Sequence, residues 1–453
     1  MKTCFWLTVP LILMLFCFDA NGWSAAPRLA PQGTEPKAEQ VAPAEARLAP
    51  PPEGYELPAQ KKAEAIAYSR TRYALYFAGV ALALLVYFLL WRARIAVAFR
   101  DWARRRSRRH FLQCLLFAPL FFVTVQLLEF PFDFYSDYVI EHKFGLSNQG
   151  FVSWAGDWGK NLALLVLVGT FLVWIFYAVV RRSPRRWWFY FWAVTIPVTL
   201  FLMFIEPFAV EPLFFKFTPL QTAHPALVAR IEEMLDRAGL EIPRSRMLEM
   251  NASSKTRTIN AYVSGLGKSK RVVVWDNTLQ KLTDDETLLV LGHETGHYVL
   301  HHILKEFVLI ELIALALIAM GFVGVRRLLR RFGNRTGIES EGDLASLPVM
   351  LMVLTALSFF ASPAVNGVSR HYEHQADQFA LEVTYGVVPD PDAAEARAFQ
   401  ILGEQDLADP DPSTFIVFWL YSHPPLNQRI RFARSYHPWT EGKPLQFVHP
   451  GKS

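Results

Sequence analysis

The stretch "LGHETGHYVLHHILKEFVLIELIALALIAMGFV", residues 291–323, carries two patterns in one run. From Phe307 onward it is apolar on every side, interrupted by the single carboxylate Glu311, and long enough for a membrane span. Its first half sets His293 and His297 four residues apart, so that both imidazoles stand on one face of a helix. Upstream, Thr283-Asp284-Asp285-Glu286 has the form of a capping box with acids suited to a helix start. The helix it opens leads straight toward the span.

Composition agrees with a membrane chain. Of 453 residues, 52% are hydrophobic and 14% aromatic, too apolar for an ordinary soluble protein. Runs at 73–91, 111–130, 162–180, 187–205, 307–325 and 348–365 each approach the ~20 residues a ~30 Å hydrocarbon core requires. The expectation is a mainly α, multi-span membrane protein with six spans. A shorter run at 5–18, preceded by Lys2 and followed by Ala20 and Gly22, reads as a secretory signal, or as a short retained span. Residues 26–58 are rich in Ala, Pro and Glu and cannot bury a core, so they read as a disordered tether. The cysteines Cys4, Cys17 and Cys114 offer neither a disulfide framework nor a thiolate metal site.

Arginine placement gives an orientation. Eight arginines fall between Arg92 and Arg109, four between Arg181 and Arg186, and five between Arg326 and Arg335, after the first, third and fifth spans. The opposite loops carry Asp133, Asp137, Glu141, Asp157, Glu206 and Glu211 instead. The positive-inside rule makes the arginine side cytoplasmic and turns residues 207–306, with everything after the sixth span, outward. The expected organisation is a signal or short span at 1–22, a tether at 23–70, four spans with their loops at 71–210, a catalytic region at 211–305, two spans at 306–366, and a second catalytic region with the tail at 367–453.

His293-Glu294-x-x-His297 is the arrangement of zinc hydrolases. Two imidazoles reach one ion, while Glu294 is rotated far enough to work on a water beside it rather than ligate. For His301 and His302 the plainer reading is that of interfacial residues where lipid meets water. A catalytic zinc needs a third protein ligand. Beyond the sixth span, "SRHYEHQADQFALE" places Glu373 and Asp377 four apart: Glu373 can complete a His, His, Glu set, and Asp377 can accept a ring N–H from a ligating histidine. Taken alone, that pair also suits a solvated helix face. The runs 256–264 and 271–276, separated by "GLGKSK", signal a β-hairpin.

Several motifs together resemble the type I CAAX prenyl proteases and their bacterial relatives, integral-membrane zinc metallopeptidases of gluzincin type. The similarity runs from about Phe111 to Arg434 and is carried by "DFYSDYVIEHKFGLSNQ", "EPLFFKFTPL", "INAYVSGLGKSKRVVVWDNTL", "HETGH", "SRHYEHQAD" and "SHPPLNQRI". The resemblance implies a helical transmembrane barrel, whose chamber Glu311 could line, with a zincin-like catalytic domain and a small β-hairpin. It implies one Zn2+ on His293, His297 and Glu373, with Glu294 as catalytic base and His423 as oxyanion donor. Asp377 and Arg429 would support the ligands, and Asn260, Ala261 and Tyr262 would lie on an edge strand that pairs with substrate.

The chain departs from the eukaryotic members in showing six spans after processing, not seven, and a site facing the opposite compartment. The expected function is therefore zinc-dependent hydrolysis of peptide bonds in exported or membrane proteins, in a bacterial inner membrane with the catalytic side periplasmic. The expected partners are a peptide or protein substrate and the lipid bilayer, with no nucleic acid. The alternatives are CAAX-type processing at a cytosolic site and a non-catalytic membrane scaffold.

Overall fold

The computed structural model describes residues 50–448 except Leu266. The signal-like run at 1–22 and the tether up to residue 49 lie outside the described residues. The first described helix, α1 (Ala59–Arg92), takes in residues 59–70, placed in the tether above, and continues as the first of the described spans. There follow α2 (Ile95–Arg106), α3 (His110–Asp133), α4 (Phe151–Arg182) and α5 (Trp187–Ile205). Next come β1 (Phe217–Pro219), α6 (Pro225–Arg237), β2 (Met247–Met250), β3 (Ala261–Ser264) and β4 (Arg271–Trp275). The chain ends through α7 (Asp284–Val299), α8 (His302–Thr336), α9 (Leu347–Thr384), α10 (Pro391–Gln405) and α11 (Leu426–Ser435), among shorter turns.

Six helical segments among the described residues are long and apolar enough to cross a bilayer, built on α1, α3, α4, α5, α8 and α9. Large apolar side chains such as Leu89, Leu128, Leu167, Phe201, Leu312 and Phe360 point outward on them. A bilayer takes the place of water for these surfaces. The helical barrel expected above does not form: no closed barrel is present among the described residues. The reason lies in the packing. Tyr87 and Leu90 of α1, Phe117 and Phe121 of α3, Tyr177 of α4, Phe191 of α5, Ile318 of α8 and Val349 of α9 are buried in one continuous core, so the inner faces fill against one another. Glu311 is buried in this assembly, its backbone carbonyl accepting Trp192 Nε1–H at 2.8 Å.

The arginine-rich loops meet at one end of the bundle. Arg100 pairs with Asp343 and Arg104 with Glu339, tying the segments after the first and fifth spans together, and Arg326, paired with Glu341, donates to the Pro184 carbonyl of the loop after the third at 3.0 Å. The other end carries His293, His297 and Glu373, and α9 connects the two. This 38-residue helix starts at the arginine end and places Glu373 about 40 Å along its axis.

The expected hairpin is part of something larger. β3 and β4 pair antiparallel, Ala261 opposite Val274, and β4 also pairs parallel with β2, which pairs antiparallel with β1. The result is a four-stranded mixed sheet in the order β1-β2-β4-β3. The additional strands are short and lack a clear alternation, which hides them in the sequence. β3 is an edge strand and packs beside α7.

Candidate metal centre

Helix α7 starts where its sequence says it should. Glu286 N–H donates to Thr283 Oγ1 at 3.3 Å and Thr283 N–H to Glu286 Oε2 at 2.8 Å, so the capping box is complete. It does not run on into the span as expected. His301 adopts a left-handed backbone with φ 57°, a conformation open to only a few non-glycine residues, and α8 begins anew at His302.

The approach of α7 to α9 depends on two glycines, one turn apart. A Cβ on Gly292 would lie 3.3 Å from Ala380 Cα and one on Gly296 3.1 Å from Phe379 Cβ. With hydrogen in place of methyl, the two helices close until the short carboxylates of α9 reach the imidazoles of α7. His293 Nε2 and His297 Nε2 stand 3.1 Å apart. Glu373 Oε2 lies 3.2 Å from His293 Nε2, and Glu373 Oε1 lies 3.4 Å from His297 Nε2.

His293, His297 and Glu373 are all buried, and their ligand atoms fall within 4.8 Å of one another. Two nitrogens and a carboxylate oxygen around one point are a catalytic zinc donor set. The fit has independent signs. Glu373 Oε2 is buried, and beyond the 3.2 Å approach to His293 Nε2, itself a ligand atom, no hydrogen bond satisfies it, which leaves an acceptor for a cation. Burial alone disfavours a charged His293 ring, yet Asp377 and Glu373 outweigh it and raise its pKa to about 10, so the centre draws positive charge.

The outer nitrogens are also held. Asp377 Oδ1 lies 2.8 Å from His293 Nδ1, as expected, and both Asp377 oxygens accept from the buried Arg429 guanidinium, with Nε at 2.9 Å. His297 Nδ1 meets His302 Nδ1 at 3.3 Å, and His302 Nε2 meets Gln375 Oε1 at 3.0 Å. His302 is 0% exposed and stacks on Tyr372, so the interfacial reading fails for it, while His301 is exposed as that reading requires. The break at His301 turns His302 inward, and no spacing rule announces such a break.

His423 comes from the loop ahead of α11, with Nε2 3.2 Å from Glu373 Oε1. Burial lowers its pKa to about 3 against the pull of Glu373, so the ring is neutral. Ser422 Oγ lies 2.8 Å from its Nδ1; a hydroxyl donating there leaves the ring proton on Nε2, toward the centre. Ser422 drew no notice in the sequence. Glu294 lines the same cleft, with Asn260, His293, His423 and Arg429.

The edge strand is only partly as expected. Asn260 N–H donates to Thr278 Oγ1 at 2.8 Å and its carbonyl accepts from Trp275 N–H at 3.0 Å, so its backbone is spent inside the fold. Because hydrogen-bonded and non-hydrogen-bonded positions alternate in an antiparallel pair, Val263 turns its N–H and carbonyl to the open side and Tyr262 faces β4, while Ala261 turns outward with its carbonyl alone, its N–H donating to Asn260 Oδ1 at 2.9 Å. Tyr262 Oη donates to Glu211 Oε2 at 2.8 Å, and Tyr298 of α7 donates to the Gly265 carbonyl at 2.8 Å, so the strand is anchored at both ends.

The family profile for peptidase family M48 matches residues 221–437, and that for the CAAX prenyl protease N-terminal region, five membrane helices, matches residues 44–216. The Bacillus subtilis protein named uncharacterized metalloprotease YhfN is 34% identical over 370 residues, 81% of this chain and 84% of that protein. The CAAX prenyl protease 1 homolog of Arabidopsis thaliana is 30% identical over 311 residues, covering 68% and 70%. The crystal structure of S. mikatae Ste24p has the same fold, with TM-score 0.72 and 24% identity over 86% of this chain and 92% of that one.

Proposed function

The chain belongs to the M48, CAAX-type family of membrane zinc metallopeptidases, and from that premise we propose how its own residues carry out the hydrolysis. It is a multi-pass zinc metalloendopeptidase acting on membrane-associated protein substrates. The observation that carries the proposal is the convergence of His293, His297 and Glu373 from two helices that bracket a membrane pass.

His293, His297 and Glu373 would hold one zinc ion, which would supply Lewis-acid chemistry to the scissile carbonyl and to a water. Glu294 takes the water's proton and passes it to the leaving amine. His423 donates its Nε2–H to the developing oxyanion. Asp377, itself neutralised by Arg429, fixes the His293 ring so that its Nε2 lone pair faces the centre. The Ala261 carbonyl and both backbone groups of Val263 offer the open edge of β3 to an extended peptide.

For the substrate, the matched relatives support CAAX-type carboxy-terminal processing ahead of the cleavage of exported proteins. Several of them carry the name CAAX prenyl protease 1, in plants, yeast and mouse. The exported-protein reading rests on one observation, the arginine-rich end standing opposite the metal centre. Two measurements separate them. A reporter active only in the cytoplasm, fused after Ser453, works if the site is cytosolic and stays silent if it faces outward. A farnesylated CAAX peptide given to the purified chain is cut in a Glu294-dependent way under the first reading and left intact under the second.

A further inference from the structure

Helix α10 forms one wall of the cleft and carries four charged residues beyond its first position. Asp392 pairs with Arg434, Arg397 Nε lies 3.3 Å from Glu286, and Glu404 lies 3.1 Å from Lys61. Glu395 differs from them: it is 2% exposed, and neither carboxylate oxygen has a hydrogen-bond partner. A buried polar group without a partner is costly and rare enough in folded proteins to require a reason.

Its surroundings supply one. Glu395 lines the cleft that also holds His293, Glu294 and His423. The nearby Arg429 is committed to both oxygens of Asp377 and lies over the Phe399 ring at 4.1 Å. The rest of the wall, Leu289 and Val290 from α7 with Ala398, Phe399 and Leu402 from α10, is apolar. The recess therefore has greasy sides and one polar group in need of a donor.

We propose that this recess is a subsite for the side chain of a substrate residue flanking the scissile bond, and that Glu395 selects side chains with an aliphatic stem and a nitrogen donor at the tip: lysine, arginine or glutamine. The apolar walls take the stem, and the donor satisfies Glu395. Burial and the Asp377 carboxylate push the Glu395 pKa up against the pull of Arg429, and so favour its neutral form. An amide pairs with the neutral acid, and an incoming ammonium holds it ionised. A polar site left unpaired by the wrong substrate discriminates far better than an apolar pocket does.

The subsite rests on the endopeptidase reading, and its test separates the two. The zinc-loaded full chain in detergent is given synthetic randomised decapeptides, and cleavage sites are mapped by mass spectrometry for wild type, Glu294→Gln, Glu395→Gln and Glu395→Leu, with zinc content and melting measured on each. The expected wild-type profile favours lysine, arginine and glutamine at one position beside the cut by about tenfold or more. Glu395→Leu replaces that preference with leucine and methionine. Glu395→Gln, nearly the same shape, lowers lysine relative to glutamine. A donor preference that is absent in wild type, or unchanged in Glu395→Gln, overturns the subsite. Cleavage of a farnesylated CAAX peptide but of no decapeptide overturns the subsite alone, and Glu294-dependent cleavage of neither overturns the endopeptidase reading and the subsite with it.

Discussion

Replacing His302 by Phe tests whether a histidine outside the metal-binding motif governs metal affinity. When His297 binds through Nε2, its proton resides on Nδ1, which must then donate. The acceptor 3.3 Å away is His302 Nδ1, and that fixes the His302 proton on Nε2, where it donates to Gln375 Oε1 at 3.0 Å. Phe keeps the ring and its stacking on Tyr372, centroids 4.6 Å apart, while deleting both nitrogens. No water replaces them, because His302 is 0% exposed.

An unsatisfied buried donor costs about 1–3 kcal/mol. Since the donor is held by a metal ligand, the loss appears in zinc binding, and about 1.4 kcal/mol per decade converts it to roughly 5- to 140-fold. The 3.3 Å separation is at the weak end for a hydrogen bond, which places the expected loss near about tenfold. Competition against a fluorescent zinc chelator measures it on the purified chain. Asp377→Asn, which weakens a 2.8 Å charged contact to the other histidine, should lose more. A His302→Phe chain that melts like wild type and binds zinc within about twofold of it would refute the relay, since the relay requires at least the lower bound of that loss.

Three further perturbations address separate parts of the account. Glu294→Gln should lower peptide hydrolysis by about 10²-fold or more while leaving zinc content unchanged, measured on one preparation; loss of zinc would show that Glu294 does more than move protons. Gly296→Val should destabilise the chain by about 1–3 kcal/mol in detergent melting and weaken zinc binding, because its Cβ would meet the backbone-fixed Phe379 Cβ at 3.1 Å; an unchanged melt would mean that the α7–α9 spacing is slack. Glu382→Gln should expose the tail beyond Tyr436 to limited proteolysis, since that buried carboxylate accepts N–H groups of Gln446, Phe447 and Val448 at 3.0, 2.7 and 3.1 Å; a tail that resists cutting would assign its docking to apolar contacts.

Much of the molecule is legible in the sequence because its signals are local. The six spans among the described residues need only apolar length, and the start of α7 needs only Thr283 and Glu286 three residues apart. The meeting of His293 with Asp377, 84 residues away, is legible in part: each pair sits one turn apart on its own helix. Other features depend on contacts that no short window contains. The turn at His301 is a backbone choice made where two helices meet, and it converts His302 from an interfacial residue into the partner of His297. β1 and β2 are three and four residues long and become strands only by pairing with β4 and with each other. The expectation of a barrel failed for a related reason, since spans are read one at a time whereas the filled core depends on how all six face one another. Glu395 sits on a helix whose other charged side chains pair, and only the cleft shows that it does not.

The central claim is that three side chains from two helices hold one zinc ion. Elemental analysis of the purified full chain, against His293→Ala and Glu373→Ala prepared alongside, tests it directly. The account predicts about one zinc per wild-type chain and near-complete loss in both variants, because a catalytic zinc site has only three protein ligands to lose. Wild-type zinc content in Glu373→Ala would contradict it.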